Sequence, residues 1–499
     1  MGGSISYFDS LQYIFPELAL TLGLCLLLVW EMVLGPKKNG EKASLALGFL
    51  GVTAWLLAQR LSWSPQTVFG MLRVDAFATI FKLFITATTA VVIWMDTQDR
   101  SHNQEGKAET WFLLLTAALG GFVLVGTRHL LMLYLGLETL GIASYALAGI
   151  HKRDRFGAEA AVKYVVYGAL ASGVMLFGIS LLYGMTGTLD AGQMVRTVLE
   201  LSGQGQMAAL ALPTILLLVG FGFKLSIFPF QWWAPDVYQG VSAPVAAFLA
   251  VGSKGVALAA FLRVLATLYA GILIGEGSTV QSAQGFASSL IPLLGILSGA
   301  TMVFGNLAAL RQTNLKRLLA YSSIGHAGYM LLGLTLMGRL GFEVTIVYVF
   351  VYWFMTLGAF AGVLYFVNQS GSEEISGLKG LGFKHPVAGV SMVVFMAALT
   401  GLPPTAGFSA KWYLMAAAWD GGLWFLTLLL ALMSVVSLFY YFRIAKALYL
   451  EKPETERAVV STPSLSALLF LLAVGSIAFI NFEPLAAVAR ESVLHLLYW

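Results

Sequence analysis

Apolar runs long enough to cross a bilayer follow one another along nearly the whole of this 499-residue chain, with only short polar connections between them. A helix of about 20 apolar residues spans a hydrocarbon core of about 30 Å. On that measure roughly fourteen spans are predicted, beginning with 11–34, 44–62 and 74–95 and ending with 386–418, 421–449 and 462–485. The runs lack strand-type alternation, and lipid offers no water to an open sheet edge, so they must be helices. The chain is therefore predicted to be an all-α polytopic membrane protein, one integral domain over 1–499. Its 11% of charged residues agrees, because soluble domains carry about 25%.

The first run is too long for a signal-peptide core, lacks a basic leader and has no clear small-residue cleavage site after it, so it is read as a retained span. Lysine and arginine gather in one set of connections, for example Lys37, Lys38 and Lys42, then Lys152, Arg153 and Arg155, then Lys316 and Arg317. Basic connections stay inside, which predicts both termini outside. These loops also account for the net charge of +4, so no nucleic-acid partner is called for. Redox centres are limited by ligand supply. Cys25 is the single cysteine, so this chain alone holds no iron–sulfur cluster and no internal disulfide. His326 is the one histidine placed well inside a span, and one imidazole cannot make a bis-histidine haem site. No cofactor or catalytic metal is expected in this chain.

Against that apolar background, Lys163, Lys224, Lys254 and Lys411 stand inside predicted spans, with Glu138 as a carboxylate of the same kind. A charge near the bilayer centre costs at least about 2.5–3.5 kcal/mol, so each is a candidate functional residue. Amines suit proton handling: their pKa near 10.4 falls by up to about 3–5 units on desolvation, and a nearby carboxylate reverses the shift. An acid that approaches or leaves such a lysine thus sets whether it holds its proton. The alternative is a structural ion pair between helices, and for Lys163, with Glu159 four residues earlier, a plain helix-stabilising pair. Lys82 and Arg263 lie near span ends and read as interfacial anchors or local pairs. Two spans are interrupted beside a lysine. Pro229 frees the carbonyl of Leu225, one residue past Lys224, and Pro235 is expected to end that helix; Gly401, Pro403 and Pro404 break a run of about 33 residues before Lys411. Interrupted helices at related positions mark ion sites in transporters.

The stretches GLETLGIASYALAG, FGFKLSIFPFQWWAPDVYQGVSAPVAAFLAVGSKGVA, RLLAYSSIGHAGYMLLG and LTGLPPTAGFSAKWYL, in that order, resemble the antiporter-like membrane subunits of complex I, the proton-translocating NADH:quinone oxidoreductase. A lysine at 411 is more similar to the N type than to its M sister, and no long lateral helix of the L type follows residue 485. The resemblance implies two inverted five-helix repeats with discontinuous helices, here 110–270 and 286–449, preceded by three helices in 1–109 and followed by a last helix at 462–485. It implies proton translocation through Glu138, Lys224, Lys254 and Lys411, with Lys163 matching a further lysine of the family. It implies sister antiporter-like subunits and other complex I membrane subunits as partners, with lipids around them. NADH, FMN, iron–sulfur clusters and quinone would belong to those partner subunits, and the location would be the bacterial cytoplasmic (inner) membrane. Mrp-type Na⁺/H⁺ antiporter subunits share the two middle motifs and are the alternative reading. One departure is visible: family members commonly read PFH where this chain has Pro229, Phe230 and Gln231, and an amide cannot titrate.

Overall fold

Backbone N–H and C=O groups in lipid must find partners within their own segment, and the chain answers with helices almost throughout. The computed structural model describes residues 10–35, 39–100, 107–151, 154–203, 207–274, 278–452 and 462–497. Lys37, Lys38, Lys152 and Arg153 lie outside them. The first unit holds α1 (Phe15–Leu34), α2 (Asn39–Ala58) and α3 (Ala76–Thr97). Next come α4 (Lys107–Val125), α5 (Leu130–Ala148), α6 (Arg155–Thr186), the connecting helix α7 (Ala191–Gly203), α8 (Met207–Leu225), α9 (Trp233–Gly240), α10 (Ala243–Ala247) and α11 (Lys254–Ile274). The second half runs through α12 (Ser278–Ala309), α13 (Leu315–Thr335), α14 (Arg339–Ser370), α15 (Leu381–Lys384), α16 (Pro386–Thr400), α17 (Ala406–Asp420) and α18 (Trp424–Tyr449). The last two are α19 (Pro463–Ala478) and α20 (Glu483–Leu497).

Among the described residues, ten helical stretches are long and apolar enough to cross a membrane unaided. Of the remaining predicted spans, three are shorter or broken, and the fourth, α13, is an unbroken 21-residue helix whose Lys316, Arg317, serines and His326 make it less apolar. Ala209–Leu225 and Pro386–Thr400 stop at the two interruptions, and α19 turns by 78° into α20. The centre of the bundle is the stretch Ala243–Thr267, whose most apolar window is 100% buried, followed by α14 at 83%; α1, at 22%, faces outward. The two most extensive helix pairs, α4 with α5 and α12 with α13, close on glycines. A Cβ at Gly120 would stand 2.6 Å from the Leu140 nitrogen, and one at Gly305 would stand 2.4 Å from the Gly325 nitrogen. Small residues of this kind let membrane helices approach backbone to backbone.

Three local features depart from the sequence expectation. A two-stranded antiparallel hairpin, β1 (Gln66–Val68) with β2 (Leu72–Val74), precedes α3 and turns through Phe69 and Gly70, both at positive φ (52° and 69°). That turn matches the right-handed twist of the strands, but three-residue strands leave too little alternation to read. The connection after α6 contains α7, which packs on α11 and α12. Pro235 does not end a helix; it is the third residue of α9, in the first turn, where a missing N–H costs no hydrogen bond.

Candidate functional site

A lysine stands beside each of the two interruptions, Lys224 held by a side chain of a neighbouring helix and Lys411 by the backbone of the break itself. In the first, α8 ends at Leu225, Ser226 takes a positive φ of 56°, and the chain re-enters helix at Trp233. Lys224, in the last turn of α8, is 1% exposed; its Nζ donates to Tyr164 Oη of α6 at 3.3 Å and stands 5.6 Å from that ring's centre. Glu138 of α5 acts on the Lys224 charge through space, and its Oε1 is buried without a hydrogen-bond partner. In the second interruption, α16 ends on Gly401 at φ +86°, the left-handed C-cap that glycine favours. Gly407 opens the next segment so closely that a Cβ would meet the Ala398 carbonyl at 1.8 Å. Lys411, 3% exposed, reaches back across this break. Its Nζ donates to the Leu399 and Thr400 carbonyls at 3.0 and 2.9 Å and to Ser434 Oγ at 3.2 Å. A cation there also meets the negative end of the α16 dipole.

Lys254 occupies the central stretch. A π-helical segment, Phe248–Ser253, joins α10 to α11 and delivers Lys254 at its end; such bulges widen a helix by one residue per turn and recur at functional sites. Its Nζ donates to Ser323 Oγ at 2.7 Å and to the Ser323 carbonyl at 3.2 Å, with the Tyr238 ring 6.0 Å away. From Ser323, α13 leads to Lys411 by three polar residues on successive turns. His326, fully inside, shares a 2.9 Å hydrogen bond between Nδ1 and Tyr348 Oη, and the charges of both Lys411 and Lys254 reach it. Tyr329 presents its ring 4.8 Å from Lys411 Nζ. Ser323 to Tyr329 is about 9 Å along the axis, so one helix links the two amines.

The first interruption, which follows Lys224 in the chain, carries buried polar groups that are incompletely paired. Both polar atoms of the fully buried Gln231 and the Ser226 hydroxyl lack hydrogen-bond partners, while the Tyr238 hydroxyl lies toward Ser323, the residue that holds Lys254. Buried polar atoms in this state are the places where proteins hold internal water.

The structure thus buries Lys224, Lys254 and Lys411 and connects them: the rings of Tyr164, Trp233 and Tyr238 run from Lys224 to Lys254, and α13 runs from Lys254 to Lys411, with Glu138 acting on Lys224. Lys163 stands to the side: its side chain is 36% exposed and is paired with Glu159 at 2.7 Å and Asp236 at 2.5 Å. The anchors have definite partners. Lys82 pairs with Glu17 of α1 at 2.5 Å, and Arg263 makes two 2.8 Å hydrogen bonds to Asp75, the N-cap of α3. Ser323, Tyr164, Tyr329, Tyr348 and Ser434 could not be singled out from the sequence, since serine and tyrosine are ordinary in membrane helices. Among the described residues no group of three or more His, Cys, Asp or Glu side chains is gathered as a metal site.

The family model described as NADH:quinone oxidoreductase/Mrp antiporter, transmembrane, matches residues 127–437, a segment that runs from before Glu138 to beyond Lys411. The chain belongs to this antiporter family. Within the family it is 39% identical over 465 residues to NADH-quinone oxidoreductase subunit N of Anaeromyxobacter sp. (strain Fw109-5), covering 89% of this chain and 88% of that one. It resembles a chain of respiratory complex I from Thermus thermophilus with a TM-score of 0.78 and 33% identity, over 95% of this chain and 100% of the other. A chain of the Mrp complex from Dietzia sp. DQ12-45-1b gives 0.81 at 19% identity, over 98% of both. The fold is therefore common to both branches of the family, and sequence identity is what separates them.

Proposed function

We propose that the chain is an N-type membrane-arm subunit of NADH:quinone oxidoreductase, moving protons while other subunits of the same assembly reduce quinone. The observation that carries this reading is the set of three amines, each at most 4% exposed, connected by tyrosine and tryptophan rings in the first half and by the hydroxyl, imidazole and phenol groups of α13 in the second. Residues 110–270 and 286–449 act as its two antiporter-like units, with 1–109 and 462–485 flanking them. The redox parts, namely NADH, FMN, iron–sulfur clusters and quinone, reside in partner subunits, and sister antiporter-like subunits and lipids surround this one. The location is the bacterial inner membrane with both termini outside, following the basic loops.

The steps follow from charge and distance. A carboxylate approaching Lys224, as Glu138 can, favours the ammonium, and its withdrawal leaves a buried charge without that support and favours release of the proton. Water held by Gln231, Ser226 and Tyr238 carries it to Lys254, since the amide orients water without titrating. Ser323, His326 and Tyr329 then lead to Lys411, where the carbonyl end of α16 stabilises the charge. Lys163, held by two carboxylates, sets the local charge at the edge of the first unit. One unit of pKa shift is about 1.4 kcal/mol, against about 2.3 kcal/mol per charge per 100 mV of membrane potential, so a shift of about 1.7 units, within the roughly 1–3 units that a nearby opposite charge produces, offsets 100 mV. Glu138→Gln and Lys224→Ala in the assembled complex are expected to lower quinone reduction and proton uptake together by at least about tenfold, the scale of one pKa unit. Normal pumping in both, with full subunit content, refutes the reading.

A further inference from the structure

The short helix α9 is the part of the first interruption that touches the second half of the chain. Trp233 at its start stacks on Tyr164, the phenol that Lys224 reaches, with ring centres 4.3 Å apart and planes at 8°. Its indole N–H donates to the Phe223 carbonyl at 3.0 Å, so it closes the gap back to α8. Tyr238, later in the same helix, is the ring nearest Lys254. Between them Asp236 takes two cations at once, Lys163 of α6 at 2.5 Å and Arg317 of α13 at 2.5 Å. Arg317 also donates to Gln239 Oε1 at 3.1 Å, and its neighbour Lys316 donates to the Val241 carbonyl just past α9 at 2.7 Å. The helix held this way by Arg317, α13, is the one that carries Ser323, His326 and Tyr329. Nothing in the proton route uses Asp236 as a carrier.

We propose that Asp236 is a positioning residue that couples the two halves, its bond to Arg317 fixing α9 against α13 so that rearrangement at Lys224 reaches the Lys254–Ser323 contact. Lys163 is the competing cation. It keeps Glu159 as a second partner at 2.7 Å, so the Asp236 carboxylate can lean toward α13 without stranding Lys163, whereas leaning toward α6 leaves Arg317 with the neutral Gln239. The inference rests on the proton-translocating reading above and adds the mechanical link between its units.

The test uses the whole complex in membranes, with Asp236→Asn, Arg317→Gln, their combination and the exchange Asp236→Arg with Arg317→Asp. A partly exposed ion pair sets the scale, so kcat for quinone reduction and the accompanying proton uptake are expected to fall about two- to fivefold in each single variant. The KM for quinone and the melting temperature stay unchanged, a pattern that loss of structure alone would not give. The combination falls no further than the single variants, as partners in one interaction require, and the exchange recovers to within about twofold. Normal rates in the single variants, or additive losses without recovery on exchange, overturn the proposal. If Asp236→Asn fails to assemble, Arg317→Gln carries the same expectation and the same refuting result from the other side of the contact. Lys224→Ala in parallel separates the two readings: if it stalls turnover while the Asp236 and Arg317 variants do not, only the coupling inference fails.

Discussion

Replacing Lys411 by methionine tests whether this amine is a proton site or a piece of architecture. In the native chain it satisfies the Leu399 and Thr400 carbonyls at the end of α16. Losing it strands both, at about 1–3 kcal/mol each. Removing an ammonium from the membrane interior returns at least about 2.5–3.5 kcal/mol. The two effects nearly cancel, leaving a net change near about 1 kcal/mol, so the Lys411→Met complex should assemble with its full complement of subunits. Proton transfer is another matter. A charge crossing the same spot without the amine to host it meets the uncompensated insertion cost of at least about 2.5–3.5 kcal/mol, which corresponds to a slowing of about 70- to 400-fold. The assay is proton uptake into vesicles alongside quinone reduction by the purified assembly, with subunit content checked on the same sample. An intact Lys411→Met complex that turns over within twofold of normal would refute the assignment of Lys411 and the argument from buried charge behind it.

Gln231 offers a second test: Gln231→Leu, which keeps the volume but cannot hold water, should cut proton uptake by at least about tenfold, whereas Gln231→His should keep it; equal activity in both would remove water at this position from the route. Asp75 is buried between Arg263 at 2.8 Å and Arg73 at 3.3 Å, so Asp75→Asn should destabilise by about 3–5 kcal/mol, chiefly through the unpaired, more deeply buried Arg263 guanidinium. This should appear as lost assembly on native gels, and Asp75→Asn combined with Arg263→Met should recover it; a stable Asp75→Asn complex contradicts the reading.

The helical plan was legible because length and hydrophobicity decide it: nothing except a helix satisfies its own backbone in lipid over 20 residues. The interruption before Lys411 was legible from Gly401, Pro403 and Pro404. Pro235 was misread, because a proline looks the same in sequence whether it stops a helix or opens one, and only the unpaired N–H groups of a first turn distinguish the cases. The three buried lysines were visible as charges in apolar runs, whereas their hosts were not. Ser323 and Tyr164 are chosen by packing between helices far apart in the chain. Asp236 sat unnoticed in a tryptophan- and proline-rich segment because its meaning depends on Arg317, 81 residues on. Lys163 shows the limit from the other side: its pairing with Glu159 was foreseeable from spacing, while its half-exposed position was not.

The wholly enclosed stretch around Lys254 has a consequence for how the molecule works. A rod walled in on every side has no free direction in which to tilt or slide without displacing its neighbours, so a change of charge at Lys254 has to be absorbed by small rotations of hydroxyls and rings around it. The centre of this protein then behaves like a fixed electrode, and whatever moves during turnover is expected among the broken segments at its edges.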